Sequence, residues 1–411
     1  MKTMAENAPY LVSWNITRRC NLSCAHCYLD STALDGAGDI TTEEAMRFVD
    51  EITSLNPGAM LVLTGGEPLL RPDIFEITGY AASGGLTVFL GTNGTLLDEA
   101  AAQRLVKSGV KGVGVSIDSL SPAYHDSFRG VEGAWEKAIN GVKALKGVGL
   151  DFQIQFTVTK ENGKELPRII DFSRRCGARA LNIFFLVCTG RGQELTDLDQ
   201  SAFESTLREI AEARSGPHDG LMIRARCAPQ FLRVLSETQP ESPLLRGATS
   251  GCIAGKNYLR ISPDGHVTPC PYIPADENSP NLSGKGLVEI WREDKKFISL
   301  RDPAHEGACQ GCAYEQICGG CRARAVAGSK DLMGEDPSCG YLSREETRRA
   351  LKDEEQTLEE AVWTDEARER LERVPEFLRG MVAAGVERYA LAKGIKEITP
   401  EVMSELKSRL F

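Results

Sequence analysis

The sequence predicts an α/β fold: a partial (β/α)6 barrel, then a cysteine-rich domain and a small all-α C-terminal domain. Between residues 8 and 215, short apolar runs alternate six times with amphipathic stretches, which is typical of parallel strands joined by right-handed helical crossovers. Seven cysteines follow between residues 252 and 345, and residues 346–411 are strongly helical without any cysteine. Six units are fewer than the eight of a closed barrel, so we expect an open one.

The apolar runs lack clean alternation, as expected for parallel strands buried on both faces. The predicted strands are 11–16, 60–64, 86–91, 112–117, 152–158 and 181–187. The predicted helices are 41–55, 72–83, 98–108, 134–147, 165–176 and 202–215. Thr41 and Glu44 form a capping-box pattern at the start of the first helix. In such a barrel, functional groups lie just after the carboxyl ends of the strands.

The chain changes character beyond the barrel. Residues 216–251 are rich in Pro and Ser and predict a linker with one short helix. Residues 252–345 carry many turn residues and too little apolar material for a core of their own, so bound metal is expected to order them. Residues 346–411 predict a charged helix, over 343–362, and a compact helical unit.

Composition excludes several classes of protein. With 42% hydrophobic and 26% charged residues the chain is typical of globular proteins, and its net charge of −10 argues against a general nucleic-acid binder. No apolar run approaches the length of a membrane span. The thirteen cysteines are an odd number, and no stretch resembling a signal peptide precedes them. They predict metal or redox chemistry in the cytoplasm rather than a secreted disulfide framework.

The first cysteine group, Cys20, Cys24 and Cys27, lies in the loop directly after the first strand. Three thiolates this close in sequence can bind a four-iron cluster and leave its fourth iron without a protein ligand. Structural zinc is the alternative. That metal takes four ligands, however, and His26 is awkwardly placed to be the fourth.

This C-x3-C-x2-C loop resembles the signature of the radical S-adenosylmethionine (radical SAM) enzymes. The resemblance implies that the open iron binds the methionine moiety of S-adenosylmethionine, and that reduction then releases a 5′-deoxyadenosyl radical. It implies further cofactor contacts at successive strand ends, from His26, Gly65, Gly66, Glu67, Thr92, Asn93, Ser116 and Asp118. Glycine pairs permit close approach of the backbone to a ligand, and Glu67 offers an acceptor to an ammonium group.

The second set of cysteines resembles the SPASM extension of radical enzymes, which carries auxiliary iron–sulfur clusters. Two residues separate Cys318 from Cys321, where the usual pattern has three. The resemblance implies one cluster with a complete set of ligands, Cys309, Cys312, Cys318 and Cys339. It implies another with three thiolates, Cys252, Cys270 and Cys321, and either an open iron or a ligand from elsewhere. Zinc ribbons are the alternative, because paired C-x2-C is also zinc spacing.

Three cysteines stand outside both groups. Cys176 ends a predicted helix and is expected to be a buried apolar residue. Cys227, in the predicted linker, is a candidate for the missing ligand. Cys188 follows the sixth strand, close to Arg191, where side chains face the reaction cavity of a barrel. We therefore interpret Cys188 and Arg191 as candidate catalytic residues, with packing as the alternative for Cys188.

Two stretches, 184–192 and 251–274, resemble enzymes of alternative haem biosynthesis, which remove carboxyl groups from sirohaem-derived tetrapyrroles. The tail 363–403 resembles the small C-terminal domain of light-independent protochlorophyllide reductase, another enzyme that acts on a tetrapyrrole. The resemblance implies oxidative decarboxylation of an iron porphyrin, with an auxiliary cluster as electron acceptor and a reducing donor such as ferredoxin or flavodoxin. Carboxylates need cationic partners, and the candidates in these stretches are Arg191, Lys256, Arg260 and His266.

Two other functions remain open. Maturases that modify peptides use the same extension, although they commonly carry an N-terminal recognition domain, and the first strand here begins near residue 11. A non-catalytic iron–sulfur electron carrier is the second alternative, but a carrier has no need for residues that hold a nucleoside. Cleavage of S-adenosylmethionine and turnover of iron-coproporphyrin would separate these functions.

Overall fold

A computed structural model of the chain shows two compact units, Met1–Gly340 and Tyr341–Phe411. All thirteen cysteines belong to the first unit, so the barrel and the cysteine-rich region form one compact body. The residues that the structure describes are 8–31, 38–195, 198–215, 220–246, 251–341, 361–374, 379, 382–383, 385–387, 389–390 and 393–410.

The larger unit is built on one nine-stranded sheet. Its strands β1 to β9 are Leu11–Asn15, Met60–Thr64, Thr87–Thr92, Gly112–Ser116, Phe152–Val158, Ala180–Phe185, Met222–Arg226, Tyr258–Ile261 and Val267–Thr268. Their order is β7-β6-β5-β4-β3-β2-β1-β8-β9, and every neighbouring pair is parallel except β8 and β9. The predicted α/β class is confirmed, with the six predicted strands as β1 to β6.

Helices connect these strands and cover one side of the sheet. The helices α1 to α11 of this unit are Thr42–Leu55, Ile74–Ser83, Glu99–Lys107, Pro122–Arg129, Ala134–Gly147, Leu166–Cys176, Gln200–Ser215, Gln230–Thr238, Leu287–Glu293, Lys295–Arg301 and Arg322–Ser329. The capping box of α1 is confirmed, because Thr41 Oγ1 accepts from Glu44 N at 3.2 Å and Glu44 Oε2 accepts from Thr41 N at 3.0 Å. Helix α4 is absent from the predicted set, since its short sequence PAYHDSFR shows little apolar period.

The segment predicted as a linker contributes a seventh strand and a helix to the barrel. Ile223 on β7 and Phe231, Val234 and Leu235 on α8 are buried in the same core as the other strands. The described part of this segment, residues 220–246, therefore forms part of the barrel rather than a linker. The strand sequence MIRAR alternates apolar residues with arginine, and the surrounding Pro and Ser residues concealed that pattern.

The sheet has one apolar face and one largely polar face, which also carries Val62 and Phe89, whereas the sequence predicted strands buried on both faces. Trp14, Leu63, Leu90 and Ile154 are buried on the apolar face within the main core. The other face carries, in register, Arg260, Ser13, Asn15, Gly91, Gly114, Gln153, Gln155, Asn182 and Arg224. Tyr258 on β8 lies close enough to Arg226 on β7 to affect the pKa of Arg226, although these strands lie far apart in the sheet order. The sheet therefore curls, and its polar face lines the barrel interior.

The cysteine-rich region packs onto the barrel instead of forming a separate core. Strand β8 pairs with β1, and β9 extends the sheet beyond it. Leu287, Ile290, Trp291 and Phe297, from α9 and α10, are buried in the main core. This packing agrees with the small apolar content of the region.

The second unit contains the helices α12 and α13, Asp365–Glu372 and Pro400–Leu410, and two short parallel strands, β10 (Val362–Trp363) and β11 (Glu397–Ile398). Its core is a small cluster of Ala367, Val386, Ala390, Ile398 and Met403. The helical character predicted for this part is confirmed, with the strand pair as an addition. The charged helix predicted over 343–362 lies mostly outside the described residues. Across the described parts of both units, no helix combines the length and apolarity of a membrane span.

Candidate active site and cysteine groups

The first cysteine group lies after β1, at the carboxyl end of the sheet. Cys20 and Cys24 are buried, Cys27 is half-buried, and the three belong to one packed cluster. Each sulfur accepts one hydrogen bond, at 3.4 Å from Leu22 N, 3.6 Å from Arg129 Nη1 and 3.4 Å from Ser31 N, respectively. Burial raises the pKa of Cys20 to about 11 and also raises that of Cys24, whereas donors of this kind oppose the rise and favour the thiolate form that binds iron. The loop therefore fits the predicted iron–sulfur cluster.

Helix α4 holds this loop from one side. The amides of Ser23 and Ala25 donate to the carbonyl oxygens of Arg129 and Phe128 at 3.1 and 2.9 Å. Gly130 ends α4 with a φ of 74°, and a Cβ there would lie 2.3 Å from Ser23 Oγ. Only glycine permits this close approach between the helix end and the cysteine loop.

His26 lies within the same loop and stacks on Phe128, with ring centroids 4.5 Å apart and planes 7° from parallel. Its Nδ1 is buried and has no hydrogen-bond partner among the described residues. Burial lowers the pKa of His26 to about 4, so the ring is neutral near pH 7. The resemblance implies that the backbone of His26 contacts the cofactor, and this contact stays a prediction.

The glycine pair at the end of β2 packs against the chain's own backbone. A Cβ on Gly65 would lie 2.5 Å from the carbonyl oxygen of Thr17, and one on Gly66 would lie 2.1 Å from that of Arg19. The amide of Gly66 donates to Thr17 O at 2.9 Å. These glycines therefore bring the end of β2 against the segment that leads into Cys20. The sequence had predicted a close approach to a ligand and not this contact within the chain.

Glu67 lies fully buried beside these glycines. Its carboxylate accepts hydrogen bonds from Thr92 Oγ1 at 2.8 and 2.9 Å, from Asn93 N at 2.8 Å and from Leu69 N at 3.1 Å. Burial raises the pKa of Glu67 to about 7, although these hydrogen bonds oppose the rise. Asn93 Nδ2 also donates to Asn21 Oδ1 at 2.9 Å. The structure thus brings Glu67, Thr92 and Asn93 together next to the cysteine loop.

Asp118 pairs with Arg129, whereas the resemblance placed it at the ribose or the carboxylate of the cofactor. Both side chains are buried, and Asp118 Oδ1 also accepts from Thr157 N at 2.9 Å. Burial raises the pKa of Asp118, but Arg129, two nearby histidines and the amide of Thr157 together hold the pKa below its usual value. Asp118 therefore orients the donor to Cys24. Ser116 ends β4 nearby and lies opposite Gln155 on β5.

Arg191 also contacts the cysteine loop. Its Nε donates to Cys24 O at 3.0 Å, and its Nη atoms reach Asp30 Oδ1 at 2.6 Å and Ser31 O at 3.4 Å. The amide of Arg191 donates to Cys27 O at 3.1 Å. Its guanidinium is thus used to shape the loop, which differs from the predicted contact with substrate.

Cys188 lines a cavity of about 670 Å³. One wall comes from the start of α7, including Asp199 and Gln200, and the other from the cysteine-rich region, including Arg324 and Ser338. This cavity lies where the barrel meets the cysteine-rich region and is lined by none of the predicted cofactor residues, so a place for Cys188 in the reaction cavity stays a prediction.

Four cysteines of the cysteine-rich region form one neighbourhood. Cys309, Cys318 and Cys339 are buried and Cys312 is half-buried. Burial raises the pKa of Cys318 to about 12, and the charges of Cys339 and Cys309 act in the same direction. Cys312 acts likewise on Cys309. The four thiols therefore lie close enough to influence one another, as the predicted complete ligand set requires.

The remaining cysteines of the region form a second neighbourhood. Cys270 and Cys321 pack in one cluster with Cys227. Cys252 lies close enough to raise the pKa of all three. Among the described residues, no three Cys, His, Asp or Glu side chains close on a single metal ion. Thiolates on a four-iron cluster bind different iron atoms and stand further apart than the ligands of one ion.

The sequence did not identify a series of polar and aromatic side chains that links the first cysteine group to the neighbourhood of Cys270. The rings of Tyr28 and Tyr272 meet edge to face at 5.0 Å. Asn15 Nδ2 donates to Tyr28 Oη at 2.7 Å and Asn15 Oδ1 accepts from Arg260 Nε at 2.6 Å. Tyr28 adjoins Cys27 and Tyr272 lies two residues after Cys270, so their proximity to cysteines was the signal available in the sequence.

The other predicted carboxylate partners differ from Arg260 in their surroundings. His266 Nδ1 lies 3.3 Å from Asp264 Oδ1. Lys256 is half-buried, and burial lowers its pKa although the nearby Cys252 opposes this. Arg260 is buried, and only its Nε makes a hydrogen bond to the described residues. Of this set, Arg260 has the guanidinium most available to a ligand inside the barrel.

Three segments of the chain match known families. Residues 14–173 match the Radical SAM superfamily, and residues 252–321 match the SPASM iron–sulfur cluster-binding domain. Residues 363–407 match the proto-chlorophyllide reductase 57 kD subunit. The three matches follow the predicted order of barrel, cysteine-rich region and C-terminal unit.

Relatives extend the likeness over most of the chain. The AdoMet-dependent heme synthase of Methanosarcina barkeri is 38% identical over 344 residues, which cover 82% of this chain and 97% of that protein. The mycofactocin maturase MftC of Mycolicibacterium smegmatis is 29% identical over 343 residues, 81% of this chain and 83% of that protein. The structure of Streptococcus suis SuiB bound to S-adenosylmethionine has the same fold, with a TM-score of 0.67 at 18% identity over 81% of this chain and 78% of that one. The chain therefore belongs to the radical SAM superfamily, in the family of the AdoMet-dependent heme synthases, and its cofactors are S-adenosylmethionine and four-iron clusters.

Proposed function

We propose that this enzyme carries out an oxidative decarboxylation or side-chain removal on a haem or tetrapyrrole precursor. The observation that carries the proposal is the likeness to an AdoMet-dependent heme synthase over 97% of that protein, at 38% identity. The likeness to the mycofactocin maturase is weaker, at 29%. The match of the C-terminal unit to a proto-chlorophyllide reductase subunit supports a tetrapyrrole substrate independently.

We assign the catalytic cluster to Cys20, Cys24 and Cys27 because the three sulfurs lie in one packed cluster and each has a hydrogen-bond donor. The cofactor residues are proposed as His26, Gly65, Gly66, Glu67, Thr92, Asn93, Ser116 and Asp118. When bound, the cluster and S-adenosylmethionine supply the 5′-deoxyadenosyl radical that abstracts hydrogen from the substrate. Hydrogen bonds from Arg191 and from the end of α4 hold the cysteine loop in place.

Two arginines inside the barrel support a substrate that carries carboxylates. Arg226 donates from Nε to Asn182 Oδ1 at 3.0 Å, and Arg260 donates from Nε to Asn15 Oδ1. Neither forms an ion pair with the described residues, and burial lowers the pKa of both. A buried cation without an anionic partner is destabilising. The propionate groups of an iron porphyrin would provide that partner through charge-assisted hydrogen bonds.

Conversion of a propionate to a vinyl group releases carbon dioxide, one hydrogen atom and one electron, so the reaction needs an electron acceptor. We propose two auxiliary clusters, one held by Cys309, Cys312, Cys318 and Cys339 and the other by Cys252, Cys270 and Cys321. A reducing protein such as ferredoxin or flavodoxin is the proposed external donor. Thirteen cysteines, none of them in a disulfide bond, suit a reducing compartment such as the cytoplasm.

The proposed function is tested by incubating anaerobically reconstituted enzyme with S-adenosylmethionine, a reductant and iron-coproporphyrin. We expect 5′-deoxyadenosine together with porphyrin products that have lost the mass of carbon dioxide and hydrogen. Cys20→Ala is the control and should form neither product. Formation of 5′-deoxyadenosine with an unchanged porphyrin would leave the radical chemistry in place and reject this substrate. If protein that contains the catalytic cluster forms no 5′-deoxyadenosine, the proposed radical chemistry itself is rejected.

A further inference from the structure

Cys227 occupies an unusual position directly after β7. Its φ of 58° lies in the left-handed region, which costs a residue with a side chain about 1 kcal/mol or more. The turn directs Cys227 into the cluster that contains Cys270, Cys321 and Tyr272. A strained turn that brings a thiol next to two candidate iron ligands points to a use for that thiol.

A buried carboxylate joins the segment of Cys227 to that of Cys321. Asp336 Oδ2 accepts from Gln230 Nε2 at 2.7 Å and from the amide of Cys321 at 2.7 Å. Gln230 begins the helix three residues after Cys227. The two cysteines are therefore fixed relative to one another by a shared acceptor.

The segment that carries Cys252 packs on the same turn. A Cβ on Gly251 would lie 2.6 Å from Pro229 Cβ and 2.8 Å from Pro229 O, so the backbones on the two sides touch. Cysteines from four separate stretches of the chain are thus brought into one neighbourhood.

We propose that Cys227 is the fourth thiolate ligand of the auxiliary cluster held by Cys252, Cys270 and Cys321. This inference rests on that proposed ligand set and replaces the alternative of an open iron there. With four thiolates, every iron of this cluster has a protein ligand. The substrate then contacts side chains such as Arg260 rather than iron of this cluster.

The test uses full-length protein in which Cys20→Ala, Cys24→Ala and Cys27→Ala remove the catalytic cluster, so that only auxiliary clusters contribute. The reduced protein is titrated with cyanide, which binds open iron sites, and followed by electron paramagnetic resonance. We expect an unchanged spectrum. A spectrum that shifts on cyanide addition would reveal an open iron and reject the proposal, whether or not any Cys227 variant folds.

The second arm adds Cys227→Ala to the same protein, with Cys176→Ala as the matched control because Cys176 is also a free, partly exposed thiol. We expect Cys227→Ala either to make the spectrum respond to cyanide or to halve the iron content, from about eight to about four atoms per chain. Cys176→Ala should change neither. Equal behaviour of the two variants would reject the role of Cys227.

A third variant separates this inference from the ligand set on which it rests. Cys252→Ala should also lower the iron content or create a cyanide-sensitive spectrum. If Cys252→Ala behaves like Cys176→Ala, the ligand set itself fails. If Cys252→Ala has its expected effect and Cys227→Ala does not, only the assignment of Cys227 fails.

Discussion

Arg191 donates a hydrogen bond to the carbonyl oxygen of Cys24 at 3.0 Å, although 167 positions separate the two residues. The same guanidinium reaches Asp30 and Ser31 on the far side of the loop. The loop between β1 and α1 has no helix or strand in its described part, so its shape depends on contacts of this kind. Arg191 is thus a positioning residue for the first cysteine group.

Arg191→Gln should loosen the cysteine loop without unfolding the barrel. A charge-assisted hydrogen bond contributes about 1.5–3 kcal/mol. Without it, the catalytic cluster, which is the one that responds to S-adenosylmethionine, should lose iron to a chelator about tenfold faster than in the wild-type protein. Arg179→Gln is the control, because Arg179 forms an exposed ion pair with Asp151 at 3.3 Å. Iron loss followed by visible absorbance and electron paramagnetic resonance checks this. Equal rates in the two variants would contradict the positioning role.

Gly130 and Gly133 provide a matched pair for the contact between α4 and the cysteine loop. Both have left-handed backbones, with φ of 74° and 75°, so alanine at either position should lower the free energy of unfolding by about 1–2 kcal/mol. Only at Gly130 does a Cβ meet Ser23, since nothing lies within 4 Å of one at Gly133. Gly130→Ala alone should therefore reduce iron content and cofactor cleavage. Thermal unfolding and iron analysis test both variants, and equal iron loss would refute the contact.

Glu67 should make cofactor binding depend on pH. Burial raises its pKa to about 7, and an ammonium group binds the ionised carboxylate. Only about a tenth of the carboxyls are ionised one unit below the pKa. The affinity for S-adenosylmethionine should therefore be about tenfold lower at pH 6 than at pH 8. Glu67→Gln should bind more weakly and lose this dependence. Calorimetric titration of reconstituted protein measures both, and a variant that keeps the wild-type pH profile would exclude Glu67.

Local patterns allowed the sequence to predict the six central strands and the cysteine groups, because strand apolarity and ligand spacing are both short-range features. The contacts that complete the site are not short-range. Arg129 is 105 positions from Cys24, and Arg260 is 245 positions from Asn15. No spacing rule reports such pairs. The ion pair between Asp118 and Arg129 is another contact that the sequence did not reveal.

Arg260 is the residue through which the substrate proposal can be tested most directly. Losing a charge-assisted hydrogen bond of about 1.5–3 kcal/mol should raise the KM for iron-coproporphyrin about tenfold or more in Arg260→Gln, with a smaller change in kcat. Arg260→Lys keeps the charge but not the paired donors of the guanidinium, so its KM should lie between those of wild type and Arg260→Gln. Steady-state assays of porphyrin products give both constants.

Asn15 offers a second measurement, because its amide holds both Arg260 and Tyr28. Asn15→Leu leaves the charge of Arg260 in place but removes the acceptor that orients it, so it should raise the KM less than Arg260→Gln does. The double variant should not exceed Arg260→Gln, since the two residues act through one guanidinium. Additive effects would mean that Asn15 contacts the substrate separately. An Arg260→Gln enzyme with a wild-type KM would show that the carboxylates are bound elsewhere, with Arg226 as the next candidate.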